Sequence, residues 1–231
     1  MQLSKLLATF FPPQPYASLT EKLLSAVGAL VAILALAWVT SRFLSPGPTL
    51  FMVASMGASA VLLFAASHSP LAQPWAFVGG HVLSALIGVA CQQFIPDTTV
   101  ATAAAVALSI LAMHLLHCLH PPGGATALMP VLGGPEVQQL GYGFVAAPVA
   151  INAVVLLVLA LIINNLLPGR RYPAFAHPAP KGKEPHELAG WPLGKFGIAQ
   201  ADLESALREM RTYIDVSEED LEQIYAKASL H

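Results

Sequence analysis

The sequence predicts an all-α integral membrane protein, and three observations carry that prediction. Hydrophobic residues make up 55% of the chain and charged ones only 10%, a balance that selects the membrane class before any motif is read. Between Leu23 and Gly169 the only Lys, Arg, Asp or Glu residues are Arg42, Asp97 and Glu136. A charge at a helix centre costs about 2.5–3.5 kcal/mol on insertion scales, so a run this bare is what lipid selects. Third, apolar stretches of about 20 residues, the length that crosses a bilayer, recur along that run. The formal net charge of −2 averages an apolar body and a charged tail, and it argues against a nucleic-acid surface.

Taken in order, residues 1–22 read as a cytosolic segment. Pro12, Pro13 and Pro15 precede the first apolar run, and the charged, apolar, small-residue order of a cleavable signal is missing, so the first helix is expected to stay in the mature protein. The transmembrane domain is expected over 23–167. Four stretches are full spans: Leu23–Leu44, Trp75–Ile95, Thr99 to about Leu119, and Tyr142–Leu167. Two more are interrupted by Gly or Pro and are expected to be short or re-entrant. Pro48–Ala66 is crossed by Gly57 and Ser59, and Gly123–Leu132 reaches about half a membrane deep. Cys91 and Cys118 sit in apolar runs outside any C-x-x-C pair and read as small lipid-phase residues. Asp97 and Glu136, beside Pro96 and Pro135, read as solvated loop residues. Residues 168–197 form a Pro/Gly-rich linker. In 198–231, Leu203, Ala206, Leu207, Met210 and Ile214 trace an apolar stripe and Ser217 opens a second short helix, which predicts a cytosolic helical tail.

The two interrupted segments resemble each other. At an offset of 67 residues, Gly57-Ala-Ser-Ala-Val-Leu62 aligns with Gly124-Ala-Thr-Ala-Leu-Met129, and Trp75-Ala-Phe-Val78 with Tyr142-Gly-Phe-Val145. A pair of interrupted segments at matching positions in two halves is the sequence pointer to a transporter's central site. Halves that span three times each must be inverted; halves that span twice run parallel. Either way the termini share a side. Lys5, Lys22, Arg170 and Arg171 flank the outermost helices against Arg42 in the interior loops, so that side is expected to be the cytoplasm and the membrane the cell's inner membrane.

One stretch, His117-Cys-Leu-His-Pro-Pro-Gly-Gly-Ala-Thr-Ala-Leu128, concentrates the unusual residues. Proline is favoured in a helix's first turn and lacks an amide proton, so Pro121-Pro122 is expected to end one helix and start the next. Free amides and the positive dipole end at Gly123, Gly124 and Thr126, with Gly57 and Ser59 in the matching places, would suit a small anion. His114, His117 and His120 spread over about 120° of a helix surface. They read as neutral caps at an interface, as a proton or anion partner, or as a metal site. His81 borders a stripe of Gly80, Ser84 and Gly88 suited to close helix packing, and Asn152 is the other polar residue at depth.

These motifs carry a resemblance. His120-Pro-Pro-Gly-Gly-Ala-Thr-Ala-Leu128, Gly57-Ala-Ser-Ala-Val-Leu-Leu-Phe64, and Ser69-Pro-Leu-Ala-Gln-Pro74 followed by Gly79-Gly-His-Val-Leu-Ser-Ala-Leu-Ile-Gly88 are similar to the HPP family of integral membrane proteins over about residues 20–168. The resemblance implies a small helical membrane domain, and some plant-plastid and cyanobacterial members are linked to nitrite uptake. After Leu-Ala-Gln-Pro the family usually carries an arginine, whereas this chain has Trp75. The tail resembles the segment that leads to nucleotide-sensing domains in longer bacterial relatives.

The expected function is a permease for a small inorganic anion, with nitrite or a similar solute as candidate, bound by Gly57, Ser59, His81, His120, Gly123, Gly124 and Thr126. The alternatives are a histidine-based metal-binding or redox membrane protein and a scaffold acting through its tail. No nucleophile elbow, P-loop or dinucleotide-binding pattern is present, so no enzyme is expected. The expected partners are the anion and the lipid bilayer, with a homo-oligomer left open, and neither nucleic acid nor cofactor.

Overall fold

The computed structural model describes residues 19–166 and 170–174. These form α1 (Leu19–Thr40), α2 (Pro46–Ala65), a 3-10 turn (Pro70–Ala72), α3 (Pro74–Phe94), α4 (Thr98–Leu115), α5 (Gly123–Leu132), α6 (Gly134–Leu140) and a wide π-helical turn (Val145–Ala150) that feeds α7 (Ile151–Leu166). No strand occurs among the described residues. Four helices are long and apolar enough to cross a membrane: α1, α3, α4 and the unit Val145–Leu166. The expected N-terminal segment 1–22 is described only from Leu19, and the linker 168–197 and tail 198–231 lie almost wholly outside the described residues.

Local chemistry explains most boundaries. Pro46 and Pro74 sit in the first turns of α2 and α3, where a missing amide proton costs nothing. Asp97, expected to be merely solvated, caps α4 by accepting the Val100 N–H at 2.8 Å. At its other end α4 does not run to the prolines. His117 adopts a φ of 53°, its N–H donates to the His114 carbonyl, and the Cys118 N–H donates to that of Met113. That pair of bonds around a left-handed residue is a Schellman cap, so the helix stops at Leu115 and the prolines act later. The Val145–Leu166 unit is broken at Ala147 (φ −136°, ψ 118°), the residue before Pro148; a residue preceding proline is driven out of the helical region. The sequence reading expected one unbroken span there.

Cross-chain bonds fix which helix ends lie together. At one end the Arg170 guanidinium donates to Glu21 and Ser25 of α1 and to Asn164 of α7, while the Asn164 amide donates to the Leu63 carbonyl of α2. The Tyr172 hydroxyl donates to the Ala72 carbonyl there. At the opposite end the Asn152 amide donates to the Thr40 hydroxyl, and the Ser45 N–H and hydroxyl donate to the Glu136 carboxylate. These two charged ends sandwich the apolar body.

Along α5, Gly123 lies against Gly80 and Ser84, and Ala127 against Gly88, so α5 runs parallel to α3. It therefore travels from the end where the Trp75 indole donates to the Leu116 carbonyl toward the end that carries α6. The chain passes through instead of re-entering, and it does so with a helix half the usual length because residues 116–122 cover the rest in extended turns. α2 is continuous: its 20 residues rise about 30 Å, and Gly57 does not interrupt them. Among the spans α3 is central, with 56% of its apolar window buried against 22% in α1 and in α4. The outer helices turn Leu30, Leu34 and Trp38 of α1 and Leu108 and Leu111 of α4 outward, as lipid requires.

Candidate functional site: a buried imidazole–hydroxyl chain

The small-residue face of α3 does what its spacing predicts. A Cβ on Gly88 would lie 2.3 Å from the Ala127 carbonyl oxygen, and one on Gly80 would lie 2.6 Å from the His120 Cβ. Only glycine lets α5 and the loop before it come so close. That approach carries Thr126 and His120 to the same level as His81.

The result is a continuous polar chain in the centre of an apolar bundle. The His120 Nδ1–H donates to the Leu71 carbonyl at 2.8 Å. His120 Nε2 and His81 Nε2 both meet the Ser59 hydroxyl at 2.8 Å. His81 Nδ1 meets the Thr126 hydroxyl at 2.7 Å, which meets the Ser55 hydroxyl at 2.6 Å. Ser55 ends the chain against the Pro122 carbonyl at 3.3 Å. His81, His120, Ser59 and Thr126 have no exposed surface at all. Phe77 presents its ring edge-on to both imidazoles, which are themselves 4.9 Å apart between centroids. Every partner is neutral, and every side chain in the series has at least one hydrogen-bond partner, as burial demands.

Of the residues singled out in the sequence, Ser59, His81, His120 and Thr126 converge, and Gly123 abuts them: a Cβ there would meet Ser84 Oγ at 2.8 Å. Gly57 and Gly124 do not join them. Each lies two residues from a chain member, on the far side of its helix, with nothing within 4 Å of an added Cβ. The amides expected to be free are bonded: those of Gly123, Gly124, Ala125 and Thr126 donate to the carbonyls of His120, Pro121 and Pro122. The donors at this site are therefore side chains and not a helix dipole end. His114 and His117 are exposed, apart from buried His120, and among the described residues no three His, Cys, Asp or Glu side chains gather as metal ligands.

Ser55, Phe77 and the Leu71 carbonyl were not foreseen. Ser55 precedes Ser59, and Phe77 precedes His81, by the four residues that put side chains on one helix face; that spacing was the available signal. Asn152 reaches Thr40 and leaves its Oδ1 unpaired, away from the chain.

A bundle of apolar spans closed around a neutral imidazole–hydroxyl core defines an integral membrane protein with a polar site at depth. The family description "HPP, transmembrane region" matches residues 14–173, and the chain belongs to that family. It is similar to two transmembrane proteins of Dictyostelium discoideum. One is 42% identical over 155 residues, covering 65% of this chain and 50% of the relative. The other is 38% identical over 153 residues, covering 64% and 53%. The chain thus spans about half the length of these relatives. No solved structure matches.

Proposed function

We propose that this protein is a permease for a small inorganic anion and not an enzyme. The observation that carries the reading is the chain from Ser55 to His120, five neutral polar side chains gathered where a membrane protein otherwise keeps apolar ones. Ionisable groups inside a membrane domain are retained for function by default. Hydroxyl and imidazole N–H groups offer donors to anion oxygens without a fixed cation. The arrangement of crossings supports the same reading. α1, α3 and α5 start from the Arg170 end, and α2, α4 and the α7 unit start from the other. The first three crossings and the last three thus run in opposite senses, and an inverted repeat built around a central site has that form.

The end shared by α1 and α7 carries Lys22, Arg170 and Arg171 against Arg42 at the opposite end, which supports a cytoplasmic placement of the chain's ends in a cell membrane. Nitrite heads the list of solutes through the family resemblance alone. The test is uptake of nitrite, nitrate, formate and chloride into proteoliposomes, with Ser59→Ala as control. Saturable flux of one anion that Ser59→Ala abolishes supports the permease. Folded protein that moves none of the four refutes it.

A further inference from the structure

We propose that the buried chain is a one-proton relay, so that the anion of the transport reading, on which this inference rests, crosses together with a proton. The argument is a count. Six contacts run in series from the Leu71 carbonyl through His120, Ser59, His81, Thr126 and Ser55 to the Pro122 carbonyl. Each needs one proton. The five side chains supply one each while both imidazoles are neutral, and both ends of the series are carbonyls, which only accept. The neutral chain is therefore one proton short, and a single added proton completes it.

The location of the shortage follows. Leu71 can only accept, so His120 carries its proton on Nδ1 and accepts at Nε2 from the Ser59 hydroxyl. Ser59 then accepts from His81 Nε2–H, His81 Nδ1 accepts from the Thr126 hydroxyl, and Thr126 accepts from Ser55. The unserved contact is Ser55 with Pro122, and it is the longest of the six at 3.3 Å. A proton delivered at Ser55 moves along the series: each group takes one on its near side and releases its own on the far side. His81 and then His120 hold the charge as imidazolium, and the proton leaves from His120 Nδ1 past Leu71. Every group ends with one proton, as it began, and rotation of the hydroxyls and rings restores the polarity.

The surroundings favour one charge at a time. Among the described residues, the titratable group facing each ring is the other imidazole, and the Cys118 thiol lies beside Gly79, one residue along α3 from the Gly80 that meets His120. The Glu21–Arg170 ion pair lies at the α1–α7 end and binds Asn164, which reaches Leu63, one helical turn along α2 from Ser59. With the imidazoles 4.9 Å apart, two imidazolium charges repel. One imidazolium beside one monovalent anion leaves the core neutral, which removes the chief cost of placing an ion in a low-dielectric interior. The class of solute is therefore a monovalent anion carried with one proton, the equivalent of a weak acid.

The test uses purified protein in liposomes loaded with a pH-sensitive dye, together with nitrogen-15 NMR of labelled histidines in the same bilayers. Expected are internal acidification at one proton per anion, uptake unaffected by an imposed potassium–valinomycin potential, and, by NMR, His120 protonated on Nδ1, His81 on Nε2 and a single proton shared between the rings on acidification. His81→Gln, which can bridge but cannot hold the charge, should lose proton movement and the anion uptake coupled to it together, and a folded His81→Gln protein that still acidifies the lumen overturns the relay. Anion flux driven by the potential without acidification overturns the relay and leaves the permease standing. If no anion moves, the NMR decides the relay alone: two protons taken up, none, or the opposite tautomers overturn it.

Discussion

α2 and α5 carry the same pattern, Gly-Ala-Ser-Ala in one and Gly-Ala-Thr-Ala in the other, yet they are built differently. α2 is a continuous helix of 20 residues, whereas α5 has 10 and follows a wound loop. Both nevertheless present a hydroxyl to the same imidazole, Ser59 to His81 Nε2 and Thr126 to His81 Nδ1. The difference lies in what precedes each hydroxyl. Because α4 stops at the Schellman cap and the chain turns back through Pro121-Pro122, His120 is delivered into the core from a loop. The offset of 67 pairs it with Val53, and pairs His81 with Pro148. One half of the protein supplies a rigid hydroxyl ladder, and the other uses its break to place a titratable group at depth.

The comparison breaks most sharply where α5 is pressed onto α3. Gly88→Ala puts a methyl 2.3 Å from the Ala127 backbone oxygen, and overpacking of this kind costs about 1–3 kcal/mol. In α2, Gly57→Ala meets nothing within 4 Å and should stabilise the helix by about 0.5–1 kcal/mol. Thermal denaturation in detergent should therefore move in opposite directions for the two glycines. Equal shifts would mean that α5 is no more tightly docked than the open face of α2.

The hydroxyls come next. Ser59→Ala leaves nitrogens on both imidazoles without a partner, while Thr126→Val leaves one on His81 without a partner and Ser55 with only the Pro122 carbonyl. An unsatisfied buried group costs about 1–3 kcal/mol, so the melting shift should be larger for Ser59→Ala. The reverse order would show that the α5 side carries the network.

A smaller effect sharpens the picture at the far end. Hydrogen bonds from the Ser45 hydroxyl and N–H hold the Glu136 carboxyl below the usual carboxylate range. A depressed value means that the link to α2 contributes above the ordinary carboxylate range and is lost as pH falls through the lowered one. Glu136→Gln should lower the melting temperature slightly at neutral pH and leave it unchanged in acid. A constant difference across pH would show that the charge is not involved. The smallest expected change is at the cap: His117→Gly relieves a φ of 53° and should stabilise by about 0.5 kcal/mol.

Most of this architecture was legible. Composition and apolar run length are properties of each segment alone, and they place the long spans within a few residues. The Gly80, Ser84 and Gly88 stripe announced a close neighbour. What the sequence could not show was depth. His120 and His117 are three residues apart in one motif, but one is buried between helices and the other faces out, because the αL turn at His117 redirects the chain. The four amides from Gly123 to Thr126 looked free because their acceptors are carbonyls of the preceding turn, and nothing in Pro-Pro-Gly-Gly fixes whether that turn is wound. Likewise the break at Ala147 depends on Pro148 being inside a helix that apolarity alone would have drawn straight.

The central claim is that the buried imidazole–hydroxyl chain, and not the glycines beside it, is the working site. Saturable uptake of an anion by proteoliposomes containing wild-type, Ser59→Ala and Gly57→Ala protein, each checked for folding, tests it most directly. The account predicts flux in the wild type, near-normal flux in Gly57→Ala, and loss of about tenfold or more in Ser59→Ala, the scale of leaving buried imidazole nitrogens unpaired. Full flux in Ser59→Ala, or loss confined to Gly57→Ala, would contradict it.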